Sequence, residues 1–408
     1  MINYYETKSQ PITKVMVWQA YKMVKANRGS HGIDEMTWEK LDNNLRPELY
    51  KLWNRLSSGS YYPKPVKEVG IPKKDGGIRK LGIPTILDRI AQQVAKTDLE
   101  RIVEPIFHKS SFGYRPQRNC HDAVGQANKN SFNHDFVIDL DIKGFFDTIN
   151  HELLMKAVSH YCKKKWILVY IERWLKSGVM QRDGNFTPKI MGTPQGGVIS
   201  PLLANIYLHI VFDGWMEVNY PSIKFERYAD DVVVHCKTEK QAKFILNQIE
   251  TRMKQCKLQL HPEKTRIVNL KGKAIDSFAR SFDFLGFTIR QGSFKCTTGL
   301  IISIPGTFVS KKSKSSIHAK FKVMEIHKWR KPIEEISKIL NPVIRGIINY
   351  YHKFESGSMS KVWNDLNCRL LKWVKWERGL YKRAALKWLR TKYKEQPNLF
   401  AHWLLVHP

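Results

Sequence analysis

Residues 227–234 read "RYADDVVV", two adjacent carboxylates (Asp230, Asp231) set between an aromatic residue and a valine run. The flanks, Lys224 to Tyr228 and Val232 to Cys236, have the composition of two short strands, so Ala-Asp-Asp falls in the tight turn between them. Aspartate suits turns because it bonds its own backbone and tolerates unusual dihedrals. Alone, such a pair is more often a turn device than a metal site. A second segment changes the weighing. In "DLDIKGFFD", Asp139 and Asp141 alternate along a strand and project from one face. If the two strands are neighbours, three carboxylates converge at one end of a sheet. Two carboxylates about 4 Å apart repel by about 4 kcal/mol at an effective dielectric near 20. A cluster of three therefore raises its own pKa values or binds a divalent cation. Hard oxygen ligands without histidine or thiolate favour Mg²⁺ shared with substrate phosphates, and two such ions suit an in-line phosphoryl displacement.

The charge balance points the same way. Among 408 residues, Lys and Arg number 68 and Asp and Glu 37, a net +31. An excess this large implies a polyanion, nucleic acid ahead of an anionic membrane surface. No apolar run approaches the roughly 18 residues of a membrane span. The start, "MINYYETKSQ", lacks the basic and apolar regions of a signal peptide, so a cytoplasmic, nucleic-acid-associated protein is expected. The six cysteines are widely spaced with no CxxC pair, which excludes the usual zinc-finger spacings and argues against a disulfide framework.

Along the chain, residues 1–60 read as helices, with Trp38, Leu41, Leu45, Leu49, Leu52 and Leu56 at helical spacing and Pro47 marking a second start. "VKEVGIPKKDGGIRKLGIP" reads as a basic hairpin whose Lys73, Lys74, Arg79 and Lys80 suit a triphosphate, though in isolation it is a solvated loop. "GTPQGGVISPLLANIYL" passes from a Gly/Pro loop into a helix. There Gly192, Gly196 and Gly197 let backbone approach a ligand, and Gln195 offers donor and acceptor. "FDFLGFTIR" reads as one strand, and "KKSKSS" near residue 311 as a basic linker and domain boundary. The remainder is helical, with 22 Lys/Arg against seven Asp/Glu from Lys311 to Glu395, and Leu366, Leu370, Trp373, Trp376 and Leu380 able to share one face. Carboxylate-bearing strands separated by helices predict an α+β sheet covered by helices on one face.

Taken in order, "SFGYRPQRNCHDAV", "DLDIKGFFDTINHELL", "GTPQGGVISPLLANIYL", "RYADDVVV", "LHPEKTRI", "FDFLGFTI" and "NPVIRGIINYYHKF" resemble the successive blocks of the reverse transcriptases and maturases encoded by bacterial group II introns. The resemblance spans essentially the whole chain. It implies an α+β right-hand polymerase: an N-terminal helical extension (1–60), fingers (61–130), a palm whose antiparallel sheet carries the Asp triad (131–305, with fingers residues near 155–190), and a helical thumb or maturase domain (306–408). It implies an RNA-directed DNA polymerase that adds dNTPs to a DNA or RNA primer on an RNA template, and that binds structured intron RNA in splicing and retrohoming. Asp141, Asp230 and Asp231, with the Ile142 carbonyl, would hold two Mg²⁺ ions, replaceable by Mn²⁺. Phe146 would be the steric gate against ribose, with Phe145 facing the core. Gln195, Arg79 and Lys73 or Lys74 would meet the incoming dNTP, and Tyr228, Gly196 and Arg115 the primer and template. Lys264 would give a proton to pyrophosphate or form a salt bridge. Asp139 and Asp147 would be structural, Asp147 as a helix N-cap. The family's Cys-rich nuclease domain has no counterpart in this sequence, so no endonuclease is expected, and the short stretch after the first thumb helices leaves room for little or no DNA-binding domain. A homodimer is compatible with the resemblance. Two alternatives are a domesticated relative in DNA repair or phage defence, and a maturase without catalysis. The carboxylate set, Gln195 and Phe146 weigh against the latter.

Overall fold

The computed structural model describes residues 9–72, 77–271, 277–295, 299–354 and 357–408. The chain forms two compact units, Met1–Ala123 with Ile138–Arg266, and Val124–Val137 with Ile267–Pro408.

The first unit opens with helices Lys14–Asn27, Trp38–Asn43 and Leu45–Ser58. Thr13 and Thr37 cap the first two by accepting from Met16 N and Lys40 N. The break expected at Pro47 falls at Asn44 instead. Pro47 lies in the first turn of the third helix, where its missing N–H has no helical partner to lose. Helix Ile86–Val103, capped by Thr85, buries both polar and apolar residues and backs the unit. The expected basic hairpin is present as antiparallel strands Val66–Pro72 and Ile78–Ile83, with Val69 opposite Leu81. Its sheet continues through short strands Val179–Met180 and Phe186–Thr187.

The central sheet holds strands Lys224–Tyr228 and Asp231–Cys236 as an antiparallel pair, then Phe136–Asp141, and beyond it a strand opening at Arg266. Val137, Ile138, Leu140 and Val232 to Val234 bury almost completely. Helices His151–Tyr161, Ser200–Leu208 and Glu239–Gln255 belong to the same unit. Asp147 is not a helix N-cap. It lies inside the short helix Phe145–Thr148, and Asn150 caps the next helix by accepting from Leu153 N at 3.0 Å.

In the second unit two expectations are corrected. "FDFLGFTIR" is not one strand but a hairpin. Leu285 and Gly286 both take positive φ (50° and 84°) and turn strand Ser281–Phe284 into Phe287–Lys295, which pairs on with Ile301–Val309. "KKSKSS" is no linker but the first turns of helix Lys311–Val323. Ser310 caps it, and its Ile317 and Phe321 are buried. Capping and an apolar stripe outweighed the basic, turn-rich composition. Helices Ile333–Tyr351, Ser360–Arg378 and Lys382–Glu395 follow. Leu366, Leu370 and Trp373 share a buried face as expected. Trp376 leaves that face and is exposed, and Leu380 lies beyond the helix end.

Candidate active site

The Ala-Asp-Asp turn joins the two strands it was expected to join, with Tyr228 opposite Asp231 as the last register pair. Ala229 takes φ +58°, a left-handed conformation that an alanine holds only when its surroundings over-determine it. Those surroundings centre on Arg227, which is fully buried. Its guanidinium donates to Asp213 Oδ1 and Oδ2 (2.7 and 2.5 Å), Asn205 Oδ1 (2.9 Å), Ser111 Oγ (2.8 Å) and the Ala229 carbonyl (3.1 Å). Burial, the largest single effect, would raise the Asp213 carboxyl, but Arg227 and then His209 together outweigh it and hold the group below its ordinary value. Gly113 presses on the turn from the other side. A Cβ there would lie 2.5 Å from Ala229 N, and the Gly113 carbonyl accepts from Asn205 Nδ2 at 2.7 Å. Sequence reading missed Arg227, Asp213, Asn205 and Gly113. The one local signal was an arginine inside an otherwise strand-like, buried segment.

The three carboxylates feel one another. Partial desolvation by the surrounding protein, then repulsion from Asp230, Asp141 and Asp139, pushes the Asp231 carboxyl up to about 7 against the positive charge of Lys264, although the residue still reaches the surface. Burial, together with Asp141, also raises Asp230, while the positive charge of Arg79 opposes the rise. Asp141 is anchored through its backbone. Its carbonyl accepts from His261 N at 2.7 Å, Ile142 bridges to Leu260, and Lys143 N donates to Gln259 O at 2.8 Å. Lys264 Nζ stands 3.4 Å from Asp141 Oδ2 and Arg266 Nε 3.3 Å from Asp139 Oδ2, so both lysine and arginine form salt bridges here. Among the described residues, no three acidic, histidine or cysteine side chains are gathered closely enough to hold a metal ion as they stand. The donor chemistry nevertheless fits a hard divalent cation: oxygen ligands whose mutual repulsion a cation would relieve.

The Gly/Pro loop is pinned on two sides. Gly192 (φ +78°) packs so closely on the carbonyls of Phe146 and Asp147 that a Cβ would lie 2.7 Å from each, and Thr193 N donates to Phe146 O. On the other side Gly82 N donates to Gln195 O at 2.9 Å, and a Cβ on Gly196 would meet Gly82 O at 2.7 Å. Gln195 Nε2 donates to Asp147 Oδ2 at 3.0 Å, which gives Asp147 a partner in the loop. A cavity of about 310 Å³ opens here, lined by Lys80, Gly82, Asp147, Lys189 and Gln195 among others. Phe145 is buried, as expected, and Phe146 is half-buried against it with ring centroids 5.4 Å apart. Arg79 is exposed on the hairpin and acts electrostatically on Asp230 and Tyr114. Lys73 and Lys74 lie outside the described residues. Tyr228 sits beside Tyr114 (6.2 Å between centroids), its phenol raised by burial and by a hydrogen bond with Cys120. Arg115, expected at the primer or template, is turned inward. It bonds Glu104 (2.7 and 2.9 Å) and the carbonyls of His108 and Ser111, bracing the segment that supplies Ser111 and Gly113.

A family model described as reverse transcriptase (RNA-dependent DNA polymerase) matches residues 71–289, and one for the group II intron maturase-specific domain matches residues 314–394. Protein YkfC of Escherichia coli (strain K12) is 32% identical over 295 residues, covering 61% of this chain and 75% of that protein. Group II intron-encoded protein LtrA of Lactococcus lactis subsp. cremoris is 37% identical over 193 residues, 47% of this chain and 32% of LtrA. Among solved structures, a telomerase from Candida albicans in complex with a telomeric RNA fragment aligns with a TM-score of 0.47 at 12% identity, over 85% of this chain and 65% of that one.

Proposed function

The chain belongs to the reverse transcriptase family, in its group II intron branch, and on that footing we propose that it extends a primer on an RNA template with dNTPs. In this reading Asp141, Asp230 and Asp231, with the Ile142 carbonyl, hold two Mg²⁺ ions. When bound, these ions lower the pKa of the primer hydroxyl and offset charge on the triphosphate. The observation that carries the reading is the geometry: the paired strands set Asp230 and Asp231 at their turn, and the neighbouring strand brings Asp141 and Asp139 to the same sheet. There desolvation, then the carboxylates' repulsion of one another, pushes Asp231 up to about 7. A structural turn has no use for that cost, whereas a cation site does.

The chain's other residues have distinct tasks. Arg79, joined by Lys73 or Lys74, neutralises the triphosphate. Gln195, released from Asp147, reaches the incoming nucleotide. The Phe146 ring excludes the ribose 2′-hydroxyl, and Tyr228 with Gly196 supports the primer end. In this reading fingers, palm and thumb are assigned to 61–130, 131–305 and 306–408, as the resemblance implies, and the basic helices after residue 306 bind structured intron RNA in splicing.

The test is primer extension on an RNA template with dNTPs and Mg²⁺. The wild type should yield full-length DNA and Asp230→Asn none. Absence of wild-type product, under conditions where a related enzyme extends, overturns the polymerase reading. Extension by Asp230→Asn overturns the metal assignment.

A further inference from the structure

The second unit carries its basic excess, 22 Lys/Arg against seven Asp/Glu from Lys311 to Glu395, on helices whose surface also shows aromatic rings. Trp376, on the last turns of helix Ser360–Arg378, is 44% exposed, and the Arg330 guanidinium lies 3.7 Å over its ring. Two residues further on, Arg378 lies 4.3 Å over Trp388. Gly379 (φ +59°) then ends the helix, and Tyr381 follows with 89% of its surface exposed. Between the helices a cavity of about 480 Å³ is lined by Arg330, Lys331, Arg378 and Lys392, against two acids, Glu334 and Glu377. Buried Trp373 makes its floor. Its ring stands 6.2 Å from Trp388, and its indole N–H donates to the Trp329 carbonyl at 2.9 Å.

Exposed singly, one apolar residue needs no explanation. Here two large exposed rings, Trp376 and Tyr381, fall within six residues of sequence, and the Arg330 guanidinium already holds the Trp376 indole flat. A fixed, flat π-face costs little ordering when another flat group settles on it. Four cations line the cavity next to Trp376. Arg330, Lys331 and Lys392 meet Glu377, Glu335 and Glu334 in partly exposed bridges that a phosphate can exchange, so the fitting partner is planar and anionic. Duplex nucleic acid hides its base faces, whereas unpaired nucleotides present a base face and a phosphate together.

We propose that the patch formed by Trp376, Tyr381, Arg330 and Arg378 is a docking site for unpaired RNA nucleotides. The bases stack on the two exposed rings, and Arg330, Lys331 and Arg378 meet the phosphates. The inference rests on the reading that this chain handles RNA, and narrows it to single-stranded segments held by the second unit.

The experiment is fluorescence anisotropy on the full chain with a labelled short oligouridine and, separately, a blunt RNA duplex of equal length. Tyr381→Ala and Trp376→Ala should each weaken oligouridine binding by about tenfold, the order of one lost stacked base. Duplex affinity, carried by charge, should move less than about twofold. Tyr381→Phe should bind oligouridine like the wild type. Oligouridine affinity unmoved by both alanine variants, or oligouridine and duplex weakened alike, overturns the proposal. Because both rings are exposed, far-UV circular dichroism should show the variants folded. Primer extension by the wild type judges the polymerase reading separately.

Discussion

Two buried polar clusters, one in each unit, are built on opposite principles. In the first, Arg227 and Asp213 are both fully buried and both charged, and Asn205, Ser111 and the Ala229 carbonyl take up the remaining guanidinium donors. In the second, His402 is buried with Asn367 and Trp403, and among the described residues no opposite charge bonds it. Asn367 Oδ1 accepts from Trp403 Nε1 at 3.0 Å and lies 2.9 Å from His402 Nε2. Burial drives the His402 imidazole down to about 3, so it stays neutral. The lesson is that a buried charge is kept where it does something a neutral cluster cannot. Here it grips the backbone of a left-handed alanine next to the two turn carboxylates. The neutral cluster only ties the C-terminal segment to helix Ser360–Arg378, through the bond from Asn367 Nδ2 to Val406 O.

The comparison can be broken at four points. Asp213→Ala leaves the Arg227 guanidinium buried and unpaired, and should lower stability in denaturant titration by about 3–5 kcal/mol, with primer extension lost. A loss under about 1 kcal/mol would mean the buried pair does not hold the turn. Gly113→Ala drives a methyl against Ala229 N and should cost up to about 3 kcal/mol. It should also slow primer extension by about tenfold or more. An active, stable variant would show that the turn has slack.

His402 yields a pH prediction of definite sign. Its folded pKa is depressed from 6.5 to about 3. Below about pH 6.5 the unfolded chain therefore takes up a proton that the folded chain refuses. The stability is complete above that value and is lost as pH falls toward 3. Between pH 7 and 5 this contributes a loss of about 2 kcal/mol. His402→Phe should flatten that part of the stability–pH curve, and equal slopes for variant and wild type would contradict the neutral-imidazole account. The smallest effect belongs to Lys264, whose bridge to Asp141 is exposed. Lys264→Ala should change stability by less than about 1 kcal/mol. A drop in extension rate far beyond that would move Lys264 from salt bridge to proton donor.

Much of the site was legible because its signals are local. The Ala-Asp-Asp turn sits between strand-like flanks, Asp139 and Asp141 alternate, and the glycines of the Pro-Gln-Gly loop announce close backbone approach. Gly192 and Gly196 do lie where a Cβ would collide with backbone. What holds the turn was not legible, because Arg227 finds its partners 14, 22 and 116 residues away in Asp213, Asn205 and Ser111. Asp147 likewise reads as a cap until Gln195, 48 residues on, is folded against it. The basic run at 311 was misread for another reason. Composition reports solvent preference, whereas the cap at Ser310 and the stripe through Ile317 and Phe321 decide the backbone.

By itself the sequence determined the charge excess, the carboxylate-bearing strands and turn, the glycine-rich loop and the helical, tryptophan-rich end. These depend on residue type and near-neighbour spacing, which folding does not alter. Only the tertiary structure decided which charges are buried, which rings stay in water, and which distant residues clamp the turn. Burial is a property of the whole packed chain: Arg115 and Arg227 carry the same group as Arg79, yet only their surroundings make two of them struts and leave the third exposed.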